Sequence, residues 1–106
     1  MSGAILHVDD DSAIRDLLAD VIEAEFEEFD VLSAPDAATA VDLLESESVD
    51  CIVSDYEMPD TAGLEFFERL RADGVDLPFI LFTGRGTERI ASHAISVGVT
   101  DYVQKG

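Results

Sequence analysis

Four short apolar runs constrain this chain most, because each one ends on a residue that can bind phosphate or metal. The runs and the residues that follow them are 5–8 with Asp9 and Asp10, 51–54 with Asp55, 79–82 with Thr83, and 102–104 with Lys105. If the runs are parallel strands of one sheet, their ends lie along one edge, where open α/β sheets bind ligands. Three carboxylates, one hydroxyl and one ammonium group would then converge there.

The segments between these runs have helical periodicity, so strands and helices are predicted to alternate. Strands are predicted at 3–8, 30–34, 49–54, 79–82 and 100–104. Helices are predicted from a cap at Asp11 or Ser12 to about Glu28, from Pro35, from Gly63, and in the segment that Gly98 ends. Five strands alternating with four helices predict an α/β fold with a parallel sheet. A chain of 106 residues has room for one such domain.

The charge balance excludes several kinds of partner. The chain has 24 acidic and 6 basic residues, for a net charge of −18. Such a charge repels nucleic acid and anionic lipid, and no stretch approaches the roughly 18 apolar residues of a membrane span. Because this charge density opposes compaction unless salt screens it, we interpret the surface as adapted to a salt-rich cytoplasm, with an ordinary acidic domain as the alternative. The single cysteine suits a reducing cytosol.

The residues at the strand ends are suited to phosphoryl transfer. Asp55 is the candidate nucleophile, since a carboxylate that attacks a phosphoryl group becomes an acyl phosphate. Its charge repels the incoming phosphoryl oxygens, so a divalent cation is needed, and Mg²⁺ takes oxygen ligands of the kind that Asp10 and Asp55 supply. Thr83 offers a hydroxyl and Lys105 a mobile charge to the phosphate oxygens. Each residue alone also has an ordinary explanation, such as a solvated acidic run after the first strand.

The pieces resemble the receiver domains of two-component response regulators. The motifs that carry the resemblance are "HVDDDSAIRDLL", "SDYEMPDTAGLEFFERLR", "ILFTGRG" and "DYVQKG", which together span nearly the whole chain. The resemblance implies a flavodoxin-like, doubly wound sheet of five parallel strands in the order 2-1-3-4-5, with the last helix short or missing. It also implies that residues 1–106 form one receiver domain, which we expect to be the N-terminal part of a longer chain.

The resemblance assigns a role to each site residue. Asp55 is implied as the phosphoacceptor, with Thr83 and Lys105 as its catalytic partners. Mg²⁺ or Mn²⁺ is expected to be held by four groups: the side chains of Asp10 and Asp55, the backbone carbonyl of Glu57, and Asp9 through water.

The resemblance also implies a conformational switch, and the chain departs from the commonest family pattern at two places. Tyr102 is the implied switch aromatic, which turns inward when Thr83 moves toward the phosphate. Glu57 and Arg85 are expected to pair across the site and alter the lifetime of the phosphoryl group. Gly106 stands where the family usually has a proline, which leaves the path of the chain at Lys105 open.

The function implied is a cytoplasmic phosphoacceptor switch that receives a phosphoryl group from a histidine kinase or a histidine phosphotransfer domain. Phosphorylation would change the face formed by the fourth helix and fifth strand, and so control an output or sensor-kinase domain. The ending and the acidic bias look like receivers of halophilic archaea, and a homodimer stays open. We expect no enzymatic activity beyond the domain's own phosphorylation and dephosphorylation.

Two alternatives come from other classes of function. One is a phosphatase of the haloacid dehalogenase type, in which the nucleophile follows the first strand and a second aspartate comes two residues later. Here Asp55 follows a later strand and Glu57 takes the second position, so chain order disfavours this enzyme. The other is a receiver-like interaction module that is not phosphorylated, which the filled key positions disfavour.

Overall fold

The computed structural model describes residues 3–84 and 88–104, without the side chains of Thr83 and Glu88. Its strands and helices, in chain order, are β1 (Gly3–Val8), α1 (Ser12–Glu25), β2 (Phe29–Ala34), α2 (Ala37–Ser46), β3 (Cys51–Ser54), α3 (Gly63–Ala72), β4 (Phe79–Thr83), α4 (Glu88–Val97) and β5 (Asp101–Gln104). The strands form one sheet in the order β2-β1-β3-β4-β5, and every neighbouring pair is parallel. The predicted fold class and strand order are therefore confirmed.

One face of the sheet carries the hydrophobic core. Alternate residues of three adjacent strands point to this face and are fully buried: Leu6, Val8, Ile52, Ser54, Phe79 and Leu81. Helices α2, α3 and α4 cover them with apolar side chains that belong to the same cluster. Two of these side chains, Phe66 and Phe67 of α3, meet the ring of Phe79 edge-on, with centroids 6.0 and 5.0 Å apart. The core therefore holds in place the three strands β1, β3 and β4, whose C-terminal ends carry predicted site residues.

The opposite face, which we call the α1 face, is less well covered. It carries the other set of alternating residues, including Val53, Ile80, Phe82 and Val103, and right-handed crossovers place α1 on this side, opposite the other helices. No residue of α1 is buried. The apolar side chains of Leu17, Val21 and Val103 are 61%, 49% and 42% exposed. The helical periodicity predicted for this segment is thus present, but its apolar side chains are only partly buried.

The boundaries of some elements differ from the prediction. Helix α1 ends at Glu25 instead of about Glu28, because the backbone of Phe26 leaves helical geometry (φ −132°, ψ 82°) and turns toward β2. Helix α2 begins at Ala37 rather than Pro35, because Asp36 is its N-cap.

Strand β3 is shorter than predicted, since its ladder begins at Cys51 and not at residue 49. The predicted cap of α1 at Asp11 is confirmed, and its carboxylate accepts from the amides of Ala13 and Ile14. Within the described ranges, none of the helices has the length and apolar character needed to cross a bilayer.

Candidate functional site

Three carboxylates meet where β1 and β3 end side by side. Strands β1 and β3 are paired through Val8 and Ser54, and the amide of Asp55 donates to the carbonyl of Val8 at 2.8 Å. One carboxylate oxygen from each of Asp9, Asp10 and Asp55 lies within 4.8 Å of the other two. Asp9 is fully buried, Asp55 is 9% exposed, and Asp10 is exposed to solvent. The cluster is therefore anchored in the fold and open on one side.

The turn after β1 is held by contacts that fix Asp9. Its Oδ1 accepts from the amide of Asp11 at 2.9 Å, and its backbone carbonyl accepts from Nη1 of Arg15 at 2.7 Å. Buried His7 lies beside it, with Nε2 3.9 Å from Oδ2. Arg15 was not predicted as a supporting residue, because an arginine one turn into α1 does not by itself indicate a contact with the turn after β1. These contacts orient the turn so that Asp10 faces the cluster.

The backbone of Asp55 is fixed by the chain on both sides of it. Ser54 donates its hydroxyl to the carbonyl of Asp55 at 3.0 Å, and the amide of Tyr56 donates to Asp55 Oδ1 at 2.8 Å. Gly63 donates its amide to the carbonyl of Tyr56 at 2.6 Å. A side chain at Gly63 would collide with the carbonyl oxygen of Asp55. The acceptor loop can therefore close against the start of α3 only with glycine at this position.

The loop between β3 and α3 is also fixed farther from Asp55. Glu57 and Ala62 form an isolated antiparallel bridge across its base. At its tip, the carboxylate of Asp60 accepts from the amides of Ala37 and Ala38, at the start of α2. Asp60 was not predicted as a supporting residue. The amides that it binds lie 23 and 22 residues earlier in the chain, so no local sequence pattern indicates the contact.

The donor set fits a hard divalent cation. Carboxylate oxygens are what Mg²⁺ prefers, and three like charges this close are relieved by a cation among them. The structure brings together Asp9, Asp10 and Asp55 of the predicted set. The contribution expected from the backbone carbonyl of Glu57 stays a prediction.

The other predicted site residues are described in part or not at all. The backbone of Thr83 ends β4 and pairs with Gln104 of β5, but its side chain is outside the described part of the structure. Arg85, Lys105 and Gly106 are also outside the described residues. Their roles, and the pairing of Glu57 with Arg85, therefore stay predictions.

Tyr102 points into the molecule. It pairs with Leu81 in the sheet, and its ring packs against the core cluster. Its hydroxyl is buried and has no hydrogen-bond partner among the residues described. The side chain is therefore already inward in this structure, and its role as a switch stays a prediction.

Comparison with known proteins identifies the family. The sequence model of the response regulator receiver domain family matches residues 5–106, and the chain belongs to this family. The transcriptional regulatory protein FixJ of Bradyrhizobium diazoefficiens is 34% identical over 103 residues, covering 97% of this chain and 49% of that protein. The response regulator MprA of Mycobacterium bovis is 38% identical over 107 residues, covering 99% and 45%. The chain therefore spans about half the length of the curated relatives it matches.

Solved structures agree with this assignment. The response regulator TrrA of Thermotoga maritima, in complex with Mg²⁺-BeF, superposes with a TM-score of 0.85 at 30% identity, over 98% of this chain and 87% of that one. The signal receiver domain of a putative LuxO repressor protein from Vibrio parahaemolyticus has a TM-score of 0.90 at 20% identity, over 99% and 79%, and it supports the fold alone. The family assignment does not favour the phosphatase or the unphosphorylated module. The relatives are bacterial, so the resemblance to receivers of halophilic archaea is not supported.

Proposed function

We propose that this domain is a phosphoacceptor switch of two-component signalling, with Asp55 as the acceptor. The observation that carries the proposal is the position of Asp55 at the end of β3, with ligand oxygens of Asp9 and Asp10 within 4.8 Å. The phosphoryl donor is the phosphohistidine of a histidine kinase or of a histidine phosphotransfer domain. The domain carries out only its own phosphorylation and dephosphorylation.

In the transfer step, a carboxylate oxygen of Asp55 attacks phosphorus as the bond from phosphorus to the histidine nitrogen breaks. The nitrogen keeps the electron pair, and the products are an acyl phosphate and a free histidine. The amide of Tyr56 and the hydroxyl of Ser54 hold the acceptor in one orientation, which suits a reaction that depends mostly on positioning.

Charge neutralisation is assigned to groups around the acceptor. Mg²⁺ or Mn²⁺, bound by Asp10, Asp55, the carbonyl of Glu57 and, through water, Asp9, would offset the negative charge of the phosphoryl oxygens. We assign the hydroxyl of Thr83 and the ammonium group of Lys105 to the same oxygens.

The output is assigned to the face formed by α4 and β5. Movement of Thr83 toward the phosphate would favour the inward position of Tyr102, which is the position in this structure, and so shift a two-state equilibrium of that face. The matching relatives are about twice as long, which supports a longer parent chain. We assign the domain to the N-terminal part of such a chain, in a cytoplasmic protein with an output or sensor-kinase domain.

We assign to Glu57 and Arg85, as a pair, a role in altering the lifetime of the phosphoryl group. Glu57 lies in the acceptor loop and is exposed, where it can shield the phosphoryl group from water. Glu57→Ala and Arg85→Ala are each expected to change the dephosphorylation rate, and unchanged rates in both would contradict this role.

We also propose that the surface charge suits a salt-rich cytoplasm. With a net charge of −18, repulsion within the domain should fall as the screening length shortens to roughly 3 Å at 1 M salt. The urea midpoint of unfolding is therefore expected to rise between dilute buffer and molar KCl. Equal midpoints would show that the domain is merely acidic.

The acceptor is tested by intact-mass measurement after incubation with acetyl phosphate and Mg²⁺. The wild-type domain should gain one phosphoryl group, and Asp55→Asn should gain none, because an amide cannot act as the nucleophile. Asp73→Asn is the matched control, since it removes the same charge at the exposed C-cap of α3 and should be phosphorylated normally. A phosphorylated Asp55→Asn, or steady turnover of p-nitrophenyl phosphate by the wild type, would contradict the proposal.

A further inference from the structure

The acceptor loop is tied to a helix that lies earlier in the chain. Asp60, at the loop tip, accepts from the amide of Ala37 at 3.1 Å through Oδ1 and from the amide of Ala38 at 3.0 Å through Oδ2. Both amides belong to the first turn of α2, where backbone donors lack partners within the helix and the helix dipole favours negative charge. Both oxygens of one loop carboxylate are thus used by a helix that the core holds in place.

Helix α2 already has a local cap, so the contact with Asp60 does more than complete the helix. Asp36 accepts from the amide of Thr39 at 2.8 Å, and hydrogen bonding with the side chain of Thr39, followed by this backbone bond, lowers the pKa of the Asp36 carboxyl. Asp36 lies next to α2 in the chain, whereas Asp60 reaches it from the loop that follows the acceptor. The long-range pair of hydrogen bonds therefore constrains the loop as well as the helix.

The loop is constrained at its base and at its tip by different contacts. At the base, Gly63 donates to Tyr56, and Glu57 bridges Ala62. At the tip, Asp60 is the contact with α2. Without the contact of Asp60 with α2, the segment between Glu57 and Ala62 has more conformational freedom. Binding of a ligand that requires a fixed backbone at Glu57 must then also overcome the entropy lost when this segment becomes ordered.

We propose that Asp60 is a positioning residue for the metal site, which holds the backbone of Glu57 in place by tying the acceptor loop to the N-terminus of α2. The inference rests on the proposed function, in which the carbonyl of Glu57 is a ligand of Mg²⁺. Asp60 itself does not touch the metal. Its loss should therefore weaken metal binding even while the three carboxylates of the cluster remain.

The test is calorimetric titration of the unphosphorylated domain with Mg²⁺ at fixed KCl. Asp60→Ala is expected to bind Mg²⁺ about tenfold more weakly, the lower end of what the loss of a supporting residue costs a metal site. Asp36→Ala is the matched control. It removes one carboxylate from the same helix end and should lower the thermal midpoint, but it leaves the loop tied and should change Mg²⁺ affinity less than about twofold.

Asp60→Asn is a milder variant that should remain folded, because the amide oxygen of the asparagine can still accept one hydrogen bond from α2. It is expected to recover part of the affinity that Asp60→Ala loses. Equal Mg²⁺ affinity in the wild type and Asp60→Ala, or the same loss in Asp36→Ala, would overturn the inference while leaving the metal site intact. No binding of Mg²⁺ by the wild type would overturn the proposed function and, with it, the role of Asp60.

Discussion

Substitution of Gly63 by alanine should test how closely the acceptor loop is packed. The added Cβ would overlap the backbone carbonyl oxygen of Asp55 and lie 3.1 Å from Cδ1 of Leu81. Rotation of the carbonyl away from the added Cβ would break the hydrogen bond that it accepts from the hydroxyl of Ser54. Leu81 is fully buried, so the backbone itself must shift.

The magnitude follows from three opposing contributions. Alanine in place of glycine stabilises a helix by about 0.5–1 kcal/mol. Overpacking typically costs about 1–3 kcal/mol, and the upper end applies here since the obstruction is backbone. Displacing the hydrogen bond from Gly63 to Tyr56 adds about 1 kcal/mol. The net expectation is a loss of about 2–3.5 kcal/mol in the free energy of unfolding.

Urea unfolding followed by circular dichroism at fixed KCl measures this loss. Gly74→Ala is the control, because Gly74 has a positive φ of 85° but no neighbouring atom within 4 Å of the added Cβ. It should lose only the roughly 1–2 kcal/mol of a left-handed backbone. A Gly63→Ala domain within about 0.5 kcal/mol of the wild type, the range of a neutral surface change, would refute the close approach to Asp55.

Two further predictions concern the pH dependence and the core. Hydrogen bonds from the side chain of Thr39 and, to a lesser degree, from its backbone amide lower the pKa of Asp36 from its ordinary value of 3.8. The contribution of the Asp36 carboxylate to stability is therefore present above pH 3.8 and is lost as the pH falls through the lowered pKa. Asp36→Asn keeps a good N-cap, so its free energy of unfolding should fall less between pH 5 and pH 3 than that of the wild type. An equal fall in the two proteins would contradict this prediction. Phe66→Ala removes a fully buried ring that packs on Phe79 and should cost about 3–5 kcal/mol in urea unfolding. Ile95→Ala, at a side chain 56% exposed, should cost less than about 1 kcal/mol, and equal costs would show that the assignment of the core is wrong.

The existence of most elements could be predicted from local pattern. Strands β1, β3 and β4 are near-continuous apolar runs, which is typical of strands buried within a sheet. The strand order, in contrast, came from the family resemblance, because alternation of strands and helices permits several arrangements. Periodicity also identified the apolar stripe of α1 correctly, but it does not show what covers a stripe, and Leu17 and Val21 are largely exposed.

The acidic cluster could be predicted for a similar reason. Asp9, Asp10 and Asp55 directly follow buried runs, so parallel pairing alone brings them together. The supporting contacts of Arg15 and Asp60 could not be predicted in this way, since they connect a side chain to backbone groups whose positions depend on the folded structure. Gly63 could be predicted as a helix start, but its contact with the carbonyl of the acceptor requires coordinates.

The net charge of the chain should act between molecules as well as within one, because the α1 face is only partly covered. Repulsion between domains of charge −18 should oppose contact between the exposed apolar side chains of Leu17, Val21 and Val103 and those of another molecule. If salt stabilises the fold as proposed, it should also weaken this repulsion, so colloidal stability and folding stability should change in opposite directions with KCl. Sedimentation over a range of protein concentrations separates the two, because only self-association depends on how much protein is present.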